Sequence, residues 1–136
     1  NESFARASVS GFCLQLNPSL DELTDIKTAV SEAVTNSIVH AYPNKEGEIL
    51  ITVTLSKDTA TIEIVDWGIG IKNLEEAKKP FFTTKPGDER SGMGFTVMES
   101  FMDNVEVSNT NEGGVKVTLT KIIRDQTNAK KQAENF

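Results

Sequence analysis

The sequence has few of the residues on which disulfide frameworks, zinc sites and thiol chemistry depend. Its 136 residues include one cysteine and one histidine. A single cysteine cannot form an intrachain disulfide, and one histidine with one cysteine does not supply the ligands of a zinc site. Cys13 lies in the apolar run Phe12-Cys13-Leu14, so we expect it to pack in the core. The cysteine usage indicates a reducing cytoplasm.

Positive charge and long apolar runs are also lacking. The formal net charge is −6, whereas a protein that binds nucleic acid through its phosphates needs a basic face. No apolar run approaches the roughly 20 residues that a membrane-spanning helix requires, and no signal peptide is visible. We therefore expect a cytoplasmic protein without membrane or direct nucleic-acid contacts.

What is present is the composition of a globular protein, with 38% hydrophobic and 25% charged residues. The length predicts one domain over residues 1–136. Because the sequence begins at Asn1 rather than at a methionine, we expect a further N-terminal segment. The polar tail at residues 125–136 is expected to be frayed.

The pattern of apolar residues predicts three helices and two hairpins. A first helix over residues 4–16 ends at Asn17-Pro18, and a second runs from a capping box at Ser19 and Glu22 to about His40. One hairpin covers residues 49–64, a helix begins near residue 93, and a final hairpin covers residues 104–123. Residues 72–90 are polar and rich in Pro and Gly, which is typical of a lid. The prediction is an α+β fold, a two-layer α/β sandwich.

The second helix carries a carboxylate and an amide on one face. Glu32 and Asn36 are four residues apart and share a stripe with Thr28 and His40. The neighbouring stripe is apolar or small and predicts the core face. Such a helix presents both polar groups to a groove, although an ordinary amphipathic helix also shows this pattern.

Two glycine motifs follow. In Asp66-Trp67-Gly68-Ile69-Gly70, a strand ends in a carboxylate suited to an exocyclic amine such as that of adenine, and glycine permits close approach of a ligand. In Ser91-Gly92-Met93-Gly94, a helix begins directly, and helix N-termini favour phosphate. Lys85 and Arg90 lie just upstream and supply positive charge for the same anion. A plain turn and a flexible helix start are the alternatives.

Other nucleotide signatures are absent. The sequence has no GxxxxGK[ST], no strand-associated GxGxxG, and no protein-kinase HRD and DFG pair. If the domain handles ATP, it uses a different scaffold.

The three motifs, in this order, resemble the N, G1 and G2 boxes of the GHKL ATPase superfamily, which includes gyrase and the histidine kinases. More specifically, the runs Pro80-Phe81-Phe82-Thr83-Thr84-Lys85-Pro86 and Glu89-Arg90-Ser91-Gly92-Met93-Gly94-Phe95-Thr96-Val97-Met98-Glu99 are similar to the anti-sigma F family of spore formers, which are serine-protein kinases. The similarity covers nearly the whole chain. It implies the Bergerat fold, a mixed and mainly antiparallel sheet with helices on one face, and an additional first strand before residue 1.

The resemblance also implies roles for individual residues. Glu32 corresponds to the general base, Asn36 to the Mg²⁺ ligand and Asp66 to the acid that binds the adenine amino group, with Gly68 and Gly70 making room for the base. The remaining ATP or ADP contacts implied are Thr83, Thr84, Lys85 and Arg90 in the lid and Ser91, Gly92, Met93, Gly94 and Phe95 around the phosphates. Two positions depart from the family pattern: Ala41 replaces a glycine, and Val115 stands where threonine is common, so no site is assigned there.

The function implied is that of an ATP-dependent switch. Such a protein sequesters a sporulation sigma factor and uses Mg-ATP to phosphorylate a serine of an anti-anti-sigma factor. The resemblance further implies a homodimer formed through the first helix and the adjacent sheet edge, and we predict Arg6 as a partner contact. Two alternatives remain: the catalytic ATP-binding domain of a histidine kinase, and a nucleotide-dependent protein-binding module without kinase activity.

Overall fold

The computed structural model describes residues 1–42, 46–68 and 93–124, which form helices and one sheet. The elements in order are α1 (Glu2–Cys13) with a 3₁₀ turn (Leu14–Leu16), α2 (Leu20–Asn36) with a π-helical turn (Ser37–Ala41), β1 (Ile49–Ser56), β2 (Thr59–Asp66), α3 (Met93–Phe101), β3 (Asn104–Asn109) and β4 (Val115–Ile122). Within these ranges, no helix combines the length and apolar character needed to cross a membrane.

Polar side chains fix where the first two helices begin. The Asn1 side chain accepts a hydrogen bond of 3.0 Å from the Phe4 backbone N–H, so α1 begins two residues earlier than the apolar pattern predicts. The capping box predicted for α2 is confirmed. The Ser19 hydroxyl accepts from the Glu22 N–H at 3.1 Å, and the Glu22 carboxylate accepts from the Ser19 N–H at 3.0 Å.

The last turn of the second helix differs from the prediction. The sequence predicts a regular helix to about His40, whereas the α-helix ends at Asn36 and continues as a π-helical turn over Ser37–Ala41. A π turn accommodates one extra residue and shifts the side chains that follow, and such turns are frequent at functional sites.

The four described strands form one sheet in the order β1-β2-β4-β3, and all three pairings are antiparallel. Both predicted hairpins are confirmed. The β1–β2 turn contains Lys57 with a φ of 57°. On β2, residues alternate strictly between the buried face of the sheet and its opposite face. The side chains on the buried face are those of Ala60, Ile62, Ile64 and Asp66.

The core lies between this face of the sheet and the three helices. Its largest buried side chains come from α2, α3 and the two central strands: Ile26, Val30, Phe95, Met98, Ile62, Ile64 and Leu119. Cys13 is fully buried, and this burial raises the pKa of its thiol. The predictions that Cys13 packs in the core and that the fold is an α+β two-layer sandwich are therefore confirmed.

One nearly buried lysine holds two helices to the sheet. Lys121 on β4 donates to the Asp25 carboxylate on α2 at 3.0 Å and to the Phe101 carbonyl at the end of α3 at 2.7 Å. A cation at a helix C-terminus interacts favourably with the helix dipole. This arrangement fixes α3 relative to α2, and both helices carry candidate site residues.

Candidate functional site

The carboxylate of Asp66 is fully buried at the end of β2. Strand alternation places it on the core side of the sheet, where it is the next side chain after Ile64 on that face. Its Oδ1 accepts hydrogen bonds from the backbone N–H groups of Gly68, at 3.2 Å, and Val115, at 3.1 Å. A buried carboxylate requires such partners, and here they also fix its orientation.

The turn between β3 and β4 packs against the backbone of Asp66. A Cβ atom on Gly114 would collide with the Asp66 carbonyl oxygen, so the two backbones are in direct contact. Thr110 holds this turn: its hydroxyl accepts from the Gly114 N–H at 3.0 Å, and its own N–H donates to the Gly114 carbonyl at 2.9 Å. The sequence predicts no site at this hairpin, although the Gly113-Gly114 pair permits the close approach of its backbone to that of Asp66.

The bend after Asp66 lies against the end of the π-helical turn. A Cβ atom on Gly68 would collide with the carbonyl oxygen and methyl group of Ala41. Residue 68 must therefore be glycine for this packing, and residue 41 must be small. The first glycine of the DxGxG motif thus connects the strand end to the helix that carries Glu32 and Asn36.

The start of α3 lies against Asn36, the last residue of α2. A Cβ atom on Gly94 would lie 2.9 Å from the Asn36 Nδ2 and 3.4 Å from its Oδ1. Among the described residues, Nδ2 is buried without a hydrogen-bond partner. The first N–H groups of a helix also lack intrahelical partners. The amide of Asn36 and the N-terminus of α3 are thus brought together, an arrangement that suits an anionic ligand.

Glu32 lies one turn before Asn36 and is partly exposed. It lines a groove of about 440 Å³ between α1 and α2. The other residues that line this groove are Arg6, Thr24, Lys27, Thr28 and Ser31. Arg6 forms a long ion pair of 3.8 Å with Glu2 on the same helix. The candidate base and the candidate partner contact therefore share one polar groove.

Several predicted site residues lie outside the described part of the chain: Gly70, Thr83, Thr84, Lys85, Arg90, Ser91 and Gly92. Met93 is the first residue of α3. The side chain of Phe95 is buried in the core, with 1% exposure, so any contact it makes to a ligand must come from its backbone. Within the described ranges, no three His, Cys, Asp or Glu side chains cluster as metal ligands.

The structure thus brings together the described parts of the three motifs. Gly94 contacts Asn36, Gly68 contacts Ala41, and Asp66 accepts hydrogen bonds from two distant backbone segments. The sequence predicts Asn36 at the helix end and Asp66 at the strand end as site residues. It does not predict the hydrogen bond from the Val115 N–H, because any residue type can supply a backbone donor.

Known sequences resemble this chain over most of its length. The family described as "Histidine kinase-like ATPase domain" matches residues 3–121. An anti-sigma F factor from Bacillus licheniformis is 56% identical over 122 residues, covering 89% of this chain and 84% of the relative. An anti-sigma F factor from Clostridium beijerinckii is 54% identical over 122 residues, covering 89% and 85%.

Among solved structures, the catalytic domain of the histidine kinase ThkA superposes with a TM-score of 0.59. The sequence identity is 20%, and the match covers 74% of this chain and 67% of the solved ThkA domain. At this identity the likeness is one of fold, and it agrees with the α+β sandwich predicted from the sequence.

Proposed function

This chain belongs to the histidine kinase-like ATPase domain family and, within it, to the anti-sigma F factors, and from this membership we propose that it binds and sequesters a sporulation sigma factor and phosphorylates a serine of an anti-anti-sigma factor with Mg-ATP. The observation that carries the nucleotide part of the proposal is the contact between Gly94 and Asn36, which brings a helix N-terminus to a buried amide nitrogen that has no hydrogen-bond partner in the described part of the chain. We propose that residues 1–136 act as a single nucleotide-binding domain.

The purine end of the proposed site is at Asp66. Two backbone N–H groups hold Oδ1, and a carboxylate oriented in this way accepts a hydrogen bond from the adenine amino group. The motif assigns Gly68 and Gly70 to the surroundings of the base, where glycine backbone would permit close approach of a ligand; at Gly68 the space of a side chain is taken by Ala41. Guanine has a carbonyl where adenine has this amine, so the carboxylate favours adenine.

The phosphate end of the proposed site is at Asn36 and the start of α3. Residues from Ser91 to Phe95 would donate backbone N–H groups to phosphate oxygens, and Thr83, Thr84, Lys85 and Arg90 would approach from the lid. The Asn36 amide, whose Nδ2 has no hydrogen-bond partner among the described residues, fits a Mg²⁺ ligand: rotating the amide group exchanges its nitrogen and oxygen, and Mg²⁺ takes few protein ligands. When bound, Mg²⁺ neutralises charge on the phosphate oxygens.

Glu32 is the proposed general base. As the serine Oγ forms its bond to the γ-phosphorus, the bond from that phosphorus to the β–γ bridging oxygen breaks and ADP leaves. Glu32 accepts the hydroxyl proton. We propose that the acceptor segment enters along the groove between α1 and α2 that Glu32 lines. Arg6 in the same groove is the proposed contact to the partner protein.

An apolar groove supports the proposed homodimer. Between α1 and β1, an outer strand of the described sheet, lies a cavity of about 650 Å³. It is lined by Phe4, Ala5, Val9, Phe12, Ile38, Ile49, Ile51 and Val53, among others. Phe4 is 69% exposed. Large exposed apolar patches mark interaction sites, and we propose that a second copy of the chain covers this one.

The test combines the purified protein with labelled ATP, Mg²⁺ and a candidate anti-anti-sigma protein, and separately measures capture of the sigma factor. We expect label on serine of the acceptor and nucleotide-dependent sigma binding. Capture of sigma without phosphoserine would favour a nucleotide-dependent binding module instead. Label on histidine would favour the histidine-kinase alternative. Protein that binds neither sigma nor nucleotide would refute the whole proposal.

A further inference from the structure

The only tyrosine and the only tryptophan of the chain meet at the bend that follows Asp66. The Tyr42 hydroxyl accepts a hydrogen bond of 2.8 Å from the Trp67 backbone N–H and donates one of 2.6 Å to the Glu48 carbonyl. Tyr42 directly follows the π-helical turn, and its ring packs against Gly47, where a Cβ atom would collide with it. The tyrosine therefore ties the end of the second helix to the start of the bend.

Trp67 ties the same bend to the other side of the site. Its indole N–H donates a hydrogen bond of 2.6 Å to a carboxylate oxygen of Glu112, which lies in the turn between β3 and β4. The donor and acceptor are 45 residues apart in sequence. Hydrogen bonds to an ionised acceptor are stronger than those between neutral groups. The indole of Trp67 thus links the bend after Asp66 to the turn between β3 and β4.

The two bridges flank the groups that orient Asp66. One of its donors, the Gly68 N–H, directly follows Trp67, and the other, the Val115 N–H, lies three residues after Glu112. If the bend moves relative to the turn, both hydrogen bonds to Oδ1 change. Neither aromatic side chain hydrogen-bonds the carboxylate itself in the described contacts, so they act through the backbone.

We propose that Tyr42 and Trp67, with Glu112, are positioning residues that hold the Asp66 bend in the geometry needed to select an adenine base. This inference rests on the proposed nucleotide-binding function and adds to it the determinants of base specificity. The hydroxyl of Tyr42 and the carboxylate of Glu112 supply the bonds, and the backbone and indole of Trp67 connect them.

The test measures the Kd of ADP and of GDP by calorimetry for wild type, Tyr42→Phe, Glu112→Ala and Glu112→Gln. Tyr42→Phe keeps the ring against Gly47 and removes only the hydroxyl, and Glu112→Ala removes the indole acceptor. For these two variants we expect the Kd of ADP to rise about two- to ten-fold, the range expected from the loss of one hydrogen bond. The Kd of GDP should change much less, so the preference for ADP falls. Glu112→Gln retains an acceptor oxygen and should stay within about two-fold of wild type.

Glu106→Ala is the matched control, because Glu106 is an exposed glutamate on β3 whose carboxylate accepts from Asn104; its nucleotide affinities should equal those of wild type. Circular dichroism at the assay temperature checks folding, and if Tyr42→Phe does not fold, Glu112→Ala decides the test. Unchanged ADP affinity in the folded variants, or equal losses for ADP and GDP, overturns the inference alone. A wild type that binds neither nucleotide overturns it together with the proposed function.

Discussion

Asp66 meets two requirements in the proposed function, because its buried carboxylate needs hydrogen-bond partners inside the protein and would also have to recognise a ligand. Burial without partners would cost several kcal/mol, and the N–H groups of Gly68 and Val115 meet that need at Oδ1. Both donors are backbone groups, so the two hydrogen bonds need no particular side chain, although the packing against Ala41 requires glycine at residue 68. At residue 115, a valine therefore supplies the required donor.

The substitution Asp66→Asn tests the recognition role. The two N–H donors will select the amide oxygen of the asparagine, so its NH₂ group faces the adenine amine, and two donors oppose each other. We expect the ADP affinity to fall by about ten-fold or more, consistent with roughly 1–3 kcal/mol for an unsatisfied buried group. Calorimetry gives the affinity and thermal unfolding the stability. An affinity equal to that of wild type would refute the role.

Glu32→Gln tests the proposed base. The amide keeps the shape of the side chain but cannot accept the serine proton, so phosphoryl transfer should slow by about 10²- to 10⁴-fold. ADP affinity should stay within about two-fold of wild type, because Glu32 lines the groove between α1 and α2, one helical turn from Asn36. Rapid-quench measurement of phosphoserine formation reports the rate. As a control, Glu48→Gln changes an exposed glutamate outside this groove and should leave transfer unaffected; equal rates for Glu32→Gln and wild type would exclude the role.

At the level of secondary-structure elements, the site is a junction of helix ends and strand ends rather than a surface of one element. The second helix ends at Asn36, and its π-helical turn ends at Ala41 against Gly68. The third helix begins against Asn36 while its other end is held by Lys121. Because both helices are fixed to β4 through Lys121, the spacing between the amide and the helix N-terminus is set by packing remote from the ligand.

Gly94→Ala tests this junction. The added methyl would lie 2.9 Å from the Asn36 Nδ2, which is the movable end of a side chain, so the amide should rotate away rather than the backbone shift. We expect Mg-ATP affinity to fall several-fold while stability changes by less than about 1 kcal/mol, since alanine is also the better helix former. Calorimetry with and without Mg²⁺ and urea unfolding measure the two effects.

Gly11→Ala is the matched control for that substitution. Gly11 is also helical, but a Cβ atom there has no neighbour within 4 Å, so we expect a gain of about 0.5–1 kcal/mol and no effect on nucleotide binding. If Gly94→Ala binds Mg-ATP as wild type does, contact between α3 and Asn36 does not shape the phosphate end of the site.

For the molecule as a whole, the sequence predicted the features that depend on local residue type. The Ser19–Glu22 capping box, the alternation of β2 and both hairpins are each recorded in a few neighbouring residues, and all are confirmed. The proximity of Glu32 and Asn36 on one helix stripe follows equally from their spacing.

The features that the sequence did not predict depend on contacts between distant segments. Nothing local distinguishes a π-helical turn over Ser37–Ala41 from a regular last turn. The donation from the Val115 N–H to Asp66 spans 49 residues, and the indole bond from Trp67 to Glu112 spans 45. Such contacts are set by the packing of the complete sheet against the helices, which a residue pattern does not record.

Acid stability provides a test of the global fold, because Asp103 joins the end of the third helix to the end of the sheet. Its carboxylate accepts from the Ile122 N–H at 2.7 Å and pairs with Arg124 at 2.7 Å. Burial alone would raise the pKa of Asp103, but the Ile122 hydrogen bond and the Arg124 charge outweigh it and hold the pKa below its ordinary value.

A lowered pKa in the native state means that the unfolded chain binds the proton more tightly. The stabilisation is therefore fully present above the unfolded pKa of about 3.9 and is lost as the pH falls through the lower native pKa. Asp103→Asn should reduce the free energy of unfolding by about 1 kcal/mol at pH 7, and this difference from wild type should shrink below about pH 4. Urea unfolding from pH 7 to pH 3 measures it. Arg124→Gln, which removes only the ion pair, should show a smaller difference with the same trend, whereas a difference that is constant with pH would contradict the assignment.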